Sequence, residues 1–194
     1  SGAGTLALGG RDTGHIVRIN PGSNDIGVFN VTGSGALDIN GTILNMELDP
    51  TLAAGDAPGL THDQLSVQGA VSLGSTQVIK LVDRQNAASV SEFLGGREFT
   101  VVTASSGLSG FSPNSIIEDS SSFHAFVGAD PDASIITDTE IKVQFGIKTA
   151  QQVASTVSTA VVQTPTGTSS GGSTHNKNNA AQQYIQSTLG LSGN

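Results

Sequence analysis

The sequence predicts an all-β protein and, within that class, a β-solenoid with a C-terminal β cap and a flexible tail. Charged residues make up only 12% of the 194 residues, and glycine occupies 25 positions. Helical proteins are built largely from Ala, Leu, Glu and Lys, whereas this chain is rich in Val, Ile, Thr, Ser and Asn. Short alternating apolar segments end at Gly, Asn or Asp, where a positive φ is least costly. These observations favour strands and turns.

Seven segments in the first part of the chain have the length and alternation of strands with one buried face. They are residues 4–9, 15–19, 25–31, 35–39, 42–48, 64–67 and 76–82. Their spacing is compatible with a β-sandwich or a β-solenoid. A self-similar motif favours the solenoid, because Gly4-Thr-Leu-Ala-Leu is echoed at 35–39, 41–44 and 69–73. With about 20 to 25 residues in each coil, residues 1–150 would form about six or seven coils.

Two segments interrupt the alternation. Residues 49–63 contain two Pro, two Gly and three Asp, which predicts a loop that protrudes from the stack. Residues 83–96 form the second interruption, with a short helical turn expected at 86–93. Six of the seven Phe residues occur from Phe93 onward. Bulky rings can close the open end of a coil stack, and the predicted core of this cap is Phe99, Phe111, Phe123, Phe126 and Phe145.

The predicted organisation has three parts. Residues 1–97 form the solenoid coils, and residues 98–150 form the cap. Residues 151–194 form a linker and a short helix at 179–190. The linker is predicted because Pro165 to Thr174 is rich in Ser, Gly and Thr.

One segment is similar to a known family. Glu98-Phe-Thr-Val-Val-Thr-Ala-Ser-Ser-Gly-Leu-Ser-Gly-Phe-Ser112 resembles a strand and glycine-containing turn near the C-terminal end of autotransporter passenger domains from Gram-negative bacteria. Asp63-Gln-Leu-Ser-Val-Gln-Gly-Ala-Val-Ser-Leu-Gly-Ser-Thr-Gln-Val78 is similar to the coil that precedes it there, and Gly4-Thr-Leu-Ala-Leu-Gly-Gly10 to a passenger-associated strand repeat. Position 75 departs from the family pattern, with Ser where Gly is usual.

The resemblance implies a fold and a setting. It implies a right-handed parallel β-helix whose cap acts as an autochaperone while the chain crosses the outer membrane. The protein would then be displayed on the cell surface or secreted. Its partners would be a host-surface or extracellular-matrix protein or glycan, and the C-terminal β-barrel of its own precursor. The implied function is structural or adhesive and not enzymatic.

Composition excludes one class of partner. Sixteen acidic against eight basic residues give a formal net charge of −8, and the basic residues are scattered along the chain. A nucleic acid would be repelled by this charge, so we expect no nucleic-acid partner. The absence of cysteine excludes disulfides and thiolate chemistry.

No motif predicts a catalytic, metal or cofactor site. Gly167-Thr-Ser-Ser-Gly171 matches the serine-hydrolase elbow but lies in the predicted linker, without the strand and helix that the elbow needs. The four histidines, His15, His62, His124 and His175, share no metal-ligand spacing, and we expect them to be solvated or capped. Turn acids could collect around calcium, but their spacing fits no known loop, so we expect them to be solvated as well. They are Asp56, Asp63, Asp130, Asp132 and Asp138.

Two alternative functions stay open. In a β-helical carbohydrate-active enzyme, two carboxylates such as Asp38 and Glu47 would meet across adjacent coils. In the other alternative, the chain is a passive stem for an upstream catalytic domain. The pair Asn178-Asn179 resembles the site at which some autotransporters release their passengers by backbone cleavage, although a flexible linker does not supply the required strain.

Overall fold

The computed structural model describes residues 4–8, 17–23, 25–52, 56–74, 76–85, 93, 97–119, 121–124, 126–130, 134–149 and 153. The chain divides into two units, Ser1–Ile147 and Lys148–Asn194, and all strands of the described residues lie in the first. The predicted linker and helix within 151–194 lie outside the described residues, apart from Val153. The predicted helical turn at 86–93 is described only at Phe93. The predicted domain boundaries therefore stay predictions.

The described residues confirm the all-β class. The strands are β1 (Thr5–Ala7), β2 (Arg18–Ile19), β3 (Val28–Val31), β4 (Ala36–Asp38), β5 (Ile43–Leu48), β6 (Gln64–Val67), β7 (Ala70–Ser72), β8 (Val78–Asp83), β9 (Glu98–Ala104), β10 (Leu108–Ser109), β11 (Ile116–Glu118), β12 (Val127–Ala129), β13 (Ile135–Ile136) and β14 (Glu140–Ile147). A 3₁₀ turn, Pro113–Ser115, precedes β11. Six of the seven segments that the sequence predicts as strands contain one of these strands, and the seventh, 76–82, overlaps β8, which ends one residue later at Asp83.

The strands form three sheets in which every third strand along the chain is a neighbour. Sheet 1 has the order β1, β4, β7, β10, sheet 2 has the order β2, β5, β8, β11, and sheet 3 begins with β3, β6, β9. All of these neighbours pair in parallel. We call β1–β3, β4–β6 and β7–β9 the first, second and third triplets. Each triplet supplies one strand to each sheet, an arrangement compatible with a β-helix.

Apolar side chains from successive triplets stack in register. Leu37 of β4 pairs with Val71 of β7, and Leu44 of β5 pairs with Ile79 of β8. All four side chains are at most 1% exposed. Each such side chain stabilises the fold by about 1.5 to 3 kcal/mol relative to its exposed state. The buried apolar core on the strands of the second and third triplets and directly after them comprises Leu37, Ile39, Leu44, Met46, Leu48, Leu65, Val67, Val71, Leu73, Ile79, Leu81, Phe99, Val101, Val102 and Ala104.

The repeat is longer than the sequence predicted. The register places Thr5 beside Ala36 and Ala36 beside Ala70, which are separations of 31 and 34 residues. Arg18 and Ile43 of sheet 2 are 25 residues apart, but the other parallel registers are separated by 31 to 37 residues. The expected coil of about 20 to 25 residues, and with it the expected number of coils, is therefore wrong for most of the stack. From the second triplet onward, the reason lies in the connections from sheet 2 to sheet 3, because residues 49–63 are inserted between β5 and β6. In the third triplet, residues 84–97 are the corresponding connection in sequence, from β8 to β9.

The self-similar motif marks the start of sheet 1. The copies that begin at Gly4, Gly35 and Gly69 align residue by residue in β1, β4 and β7. A Cβ at Gly35 would lie 2.3 Å from the carbonyl oxygen of Gly4, and one at Gly69 would lie 1.6 Å from that of Gly35. Glycine is required there because the backbones of successive triplets approach too closely for any side chain. The copy at 41–44 lies in sheet 2 instead.

Antiparallel pairing replaces the parallel ladder after β9. Strand β14 runs antiparallel to β9, with Phe99 opposite Val143. On its other side, β14 pairs antiparallel with β12 and with β13. Sheet 3 therefore ends with β14 and its two partner strands, whereas sheets 1 and 2 each add one more parallel strand, β10 and β11. We call residues 127–147 the antiparallel end.

Candidate functional site

The predicted loop at 49–63 is anchored at its base by backbone hydrogen bonds. The amide of Asp49 donates to the carbonyl oxygen of Thr61, and the amide of Asp63 donates to that of Glu47, both at 2.8 Å. The segment therefore leaves β5 and returns alongside the end of the same strand. The described residues between these anchors form no strand, and the side chain of Leu60 is 56% exposed. Among the described residues, this loop carries four of the ten buried polar residues, Asp49, Thr61, His62 and Asp63.

Thr100, on β9 of the third triplet, fixes the loop to the next triplet. Its amide and its hydroxyl both donate to the carboxylate of Asp56, at 3.0 and 2.5 Å. Its carbonyl oxygen accepts a hydrogen bond from Nε2 of Gln64 at 2.8 Å and lies 3.1 Å from Nε2 of His62. One backbone position is therefore held by three side chains of the preceding triplet.

His62 is completely buried within this contact. Nε2 faces two acceptors, the Thr100 carbonyl oxygen and the Asp56 carboxylate 3.3 Å away, so we assign the proton to Nε2. Nδ1 lies 3.0 Å from the hydroxyl of Thr61, and the ring packs edge-on against Phe99 with 5.5 Å between centroids. Burial lowers the pKa of His62 below 6.5, although Asp56 and the Thr100 carbonyl act against that shift.

The residue types of a catalytic triad are present in Asp56, His62 and Thr100. Their geometry is not that of a triad. The Thr100 hydroxyl donates to Asp56 and not to His62, so the base does not contact the hydroxyl that it would have to activate. Thr100 is only 6% exposed and His62 is 0% exposed, which leaves no surface for a substrate at either group. This arrangement anchors a loop. We expected His62 to be solvated or capped. It is not solvated, because the side chain is buried and hydrogen-bonded.

Asp63 is a second buried ionisable group in the same segment, and it is 1% exposed. One carboxylate oxygen accepts from the amide of Gly27 at 2.7 Å, and the other accepts from the amide of Glu47 at 2.9 Å. Burial raises its pKa to about 6, and the nearby Glu47 carboxylate adds to the rise, although both amides and Arg84 act against it. The expectation that Asp63 is a solvated turn acid is wrong, because its carboxylate joins the first and second triplets.

Arg84, directly after β8, extends these contacts to the third triplet. Its guanidinium donates to the carboxylate of Asp25 in the first triplet, and its Nε lies 3.8 Å from Oε2 of Glu47 in the second. The adjacent Gln85 donates from Nε2 to Asp49 at 2.7 Å. Side chains of all three triplets therefore meet on one side of the stack. We call Asp25, Glu47, Asp49, Asp63 and Arg84 the charged cluster.

The rings of four phenylalanines pack together beside β9 and β14. Phe145 lies 4.8 Å from Phe93, 5.6 Å from Phe123 and 5.9 Å from Phe99 between centroids. All four side chains are at most 7% exposed. We call them the phenylalanine cluster. Through Phe99 on β9 and Phe145 on β14, it joins the last parallel strand of sheet 3 to the antiparallel end.

The structure brings together three of the five predicted cap residues, Phe99, Phe123 and Phe145. Phe111 is half-buried against the core, and Phe126 is half-buried with its ring 5.5 Å from that of His124. Among the described residues, neither makes a ring contact with the phenylalanine cluster. Phe93 belongs to the cluster but was not among the predicted cap residues. Its position in the phenylalanine-rich part of the chain was the available signal.

Other residues considered for chemistry lie apart or outside the described residues. Asp38 is in sheet 1 and Glu47 is in sheet 2 of the same triplet, so they do not face each other across adjacent coils. Asp138 is exposed, and Asp130 is half-buried. Among the described residues, no group of three His, Asp or Glu side chains is arranged to hold a metal ion. Of the residues and motifs considered for chemistry, five lie outside the described residues: His15, Asp132, His175, 167–171 and 178–179.

The chain has no significant match among protein family models, curated proteins or solved structures. No helix of the described residues is both long enough and apolar enough to cross a membrane.

Proposed function

We propose that this chain is a non-enzymatic section of a surface-displayed or secreted autotransporter passenger, and that its C-terminal part promotes folding during transport across the outer membrane. In this proposal each triplet is one coil of a right-handed parallel β-helix. The three sheets support the proposal, because each successive triplet returns to the same three sheets in the same order.

The observation that carries the proposed folding role is the change of pairing direction at β9. A parallel stack has an exposed edge at its end, to which further strands or other chains can add. Here β14 covers that edge in antiparallel orientation, with β12 and β13 beyond it. Strands β13 and β14 are close in sequence, so their pairing can form early and with little loss of chain entropy. The antiparallel end can then serve as a template for β9 and for the coils before it.

Refolding kinetics test this role with two core substitutions. Val143→Ala removes a buried side chain from β14, and Leu44→Ala removes one from β5. If the antiparallel end forms first, Val143→Ala slows refolding in proportion to its loss of stability, whereas Leu44→Ala mainly accelerates unfolding. The reverse pattern would show that folding begins in the second triplet, and the proposed role would be wrong.

The adhesive part of the proposal concerns host-surface or matrix proteins and glycans. It is supported by the similarity of residues 63–78 and 98–112 to passenger segments. The test is a binding screen of the folded chain against these ligand classes, with the heat-unfolded chain as control. Saturable binding by the folded form alone supports adhesion. Equal binding by both forms, or no binding by either, would show that this section is a stem without an adhesive site.

A further inference from the structure

The charged cluster has a large excess of negative charge on one side of the stack. It contains four carboxylates, from Asp25, Glu47, Asp49 and Asp63, and one guanidinium, from Arg84. Arg84 already donates a hydrogen bond to Asp25, the carboxylate of the first triplet. The other three carboxylates all belong to the second triplet, so one cation is shared by more anions than it can neutralise.

Asp63 is the member of the cluster in the most restrictive environment. It is 1% exposed, and both of its oxygens are occupied by backbone amides, one before β3 and one in β5. The charged groups that face it are Glu47 on β5 and Arg84 after β8. Its neighbour His62 contributes no charge there, because the ring is buried neutral against Thr100 and Phe99.

Glu47 is poorly compensated as well. Its Oε2 is buried and has no hydrogen-bond partner among the described residues, and the nearest cationic nitrogen, Nε of Arg84, is 3.8 Å away. The backbone of Glu47 is bound to Asp63 in both directions, since its amide donates to the Asp63 carboxylate and its carbonyl oxygen accepts from the Asp63 amide. The two acidic residues are therefore held together by their backbones while their charges repel.

We propose that Asp63 is a proton-binding switch: on mild acidification of the folded chain, its carboxylate takes up one proton from solvent, which removes the repulsion from Glu47 and stabilises the junction of the three triplets. The uptake forms one O–H bond and lowers the negative charge of the cluster by one. The chain would then be more firmly joined at this junction in a mildly acidic setting than at neutral pH. This inference does not depend on the proposed function.

The direct test is to follow the side-chain carboxyl carbon of Asp63 by NMR as the pH is varied. In the wild-type chain we expect a titration midpoint near 6. A midpoint near 4, the ordinary value for aspartate, would overturn the proposal.

Two substitutions test the assignment of the neighbours. Glu47→Gln keeps the backbone bonds and removes the like charge, so the Asp63 midpoint should fall by about half a unit or more. Arg84→Gln removes the opposite charge, so the midpoint should rise. Asp38→Asn, the same change of charge in sheet 1, should leave the midpoint unchanged. Equal midpoints in the wild type, Glu47→Gln and Arg84→Gln would show that the cluster does not act on Asp63, and the proposed switch would be wrong.

A stability measurement gives an independent readout. Glu47→Gln removes its repulsion from Asp63 only when Asp63 is ionised. The substitution should therefore shift the denaturant midpoint to higher denaturant at about pH 7.5 relative to its effect at about pH 5. The substitution also removes the attraction between Glu47 and Arg84, but this loss is the same at both pH values and cancels in the comparison. An effect of the same size at both pH values would contradict the switch.

Discussion

The rings of Phe93 and Phe145 lie 4.8 Å apart, although the two residues lie on opposite sides of β9 in sequence. Phe93 belongs to the connection between β8 and β9, and Phe145 belongs to β14. Their contact joins the connection between β8 and β9 to the first antiparallel strand of sheet 3. The phenylalanine cluster therefore connects the parallel part of the fold to the antiparallel end.

Truncation within this cluster should be costly. Phe99→Ala should lower the free energy of unfolding by about 3 to 5 kcal/mol, because it removes a fully buried ring and leaves a cavity. Phe126→Ala is the matched control, since Phe126 is half-buried and outside the cluster, and it should cost much less. Chemical denaturation of both variants checks the difference. Equal losses would mean that the cluster does not carry the stability of this region.

The glycines at the start of sheet 1 should differ in their tolerance of alanine. Gly69→Ala should destabilise the chain by about 1 to 3 kcal/mol or more, because its Cβ would lie 1.6 Å from the carbonyl oxygen of Gly35. Gly4→Ala should have little effect, since a Cβ there meets no atom within 4 Å. Thermal unfolding of the two variants provides the measurement. A neutral Gly69→Ala would show that successive triplets are not stacked as closely as described.

Asp56 should hold the loop at 49–63 against the third triplet. Asp56→Ala leaves the amide and hydroxyl of Thr100 without this acceptor, which should cost about 1 to 3 kcal/mol. The loss should be concentrated in the loop, so amide hydrogen exchange should accelerate at Asp49 and Asp63 more than at Leu37. Uniform acceleration at all three amides would indicate that Asp56 contributes only to global stability.

His62 should make the fold less stable as the pH falls. Its pKa in the folded chain is below the ordinary value of 6.5, so the unfolded chain binds the proton more readily. The stability that neutral His62 contributes is therefore present above about pH 6.5 and decreases below it. Asp63 has the opposite sign, because its pKa is raised: its contribution is fully present below the unfolded value of 3.8 and is lost as the pH rises through about 6.

Comparison with His62→Gln separates the two groups, because Asp63 is present in both proteins. Between about pH 7.5 and pH 5.5, the wild-type chain should lose stability relative to His62→Gln, as measured by denaturant midpoints. Parallel pH profiles for the two proteins would show that His62 titrates with an ordinary pKa and is not buried as described.

The sequence was a good guide to the strands and a poor guide to how they are connected. Alternation over 42–48 and 64–67 predicts β5 and β6 because each strand buries one face. The length of the repeat was underestimated because nothing in residues 49–63 reveals that they return to the strand that they left. The orientation of β14 was not predicted, since an alternating strand has the same pattern whether its neighbour is parallel or antiparallel.

The buried polar residues were missed for a related reason. His62 and Asp63 follow a segment rich in Pro, Gly and Asp, a composition typical of exposed loops. His62 contacts Thr100, 38 residues later, and Asp63 contacts Gly27, 36 residues earlier. Such a long-range arrangement is set by the stacking of triplets and leaves no local mark in the sequence.

The central claim is that the antiparallel end forms first and directs the stacking of the triplets before it. Pulse-labelled hydrogen exchange during refolding tests it most directly, because it reports when each backbone amide becomes protected. The account predicts that the amides of β9 and β14 are protected before those of β4 and β5. Protection of β4 and β5 first, or of all four strands at the same time, would contradict it.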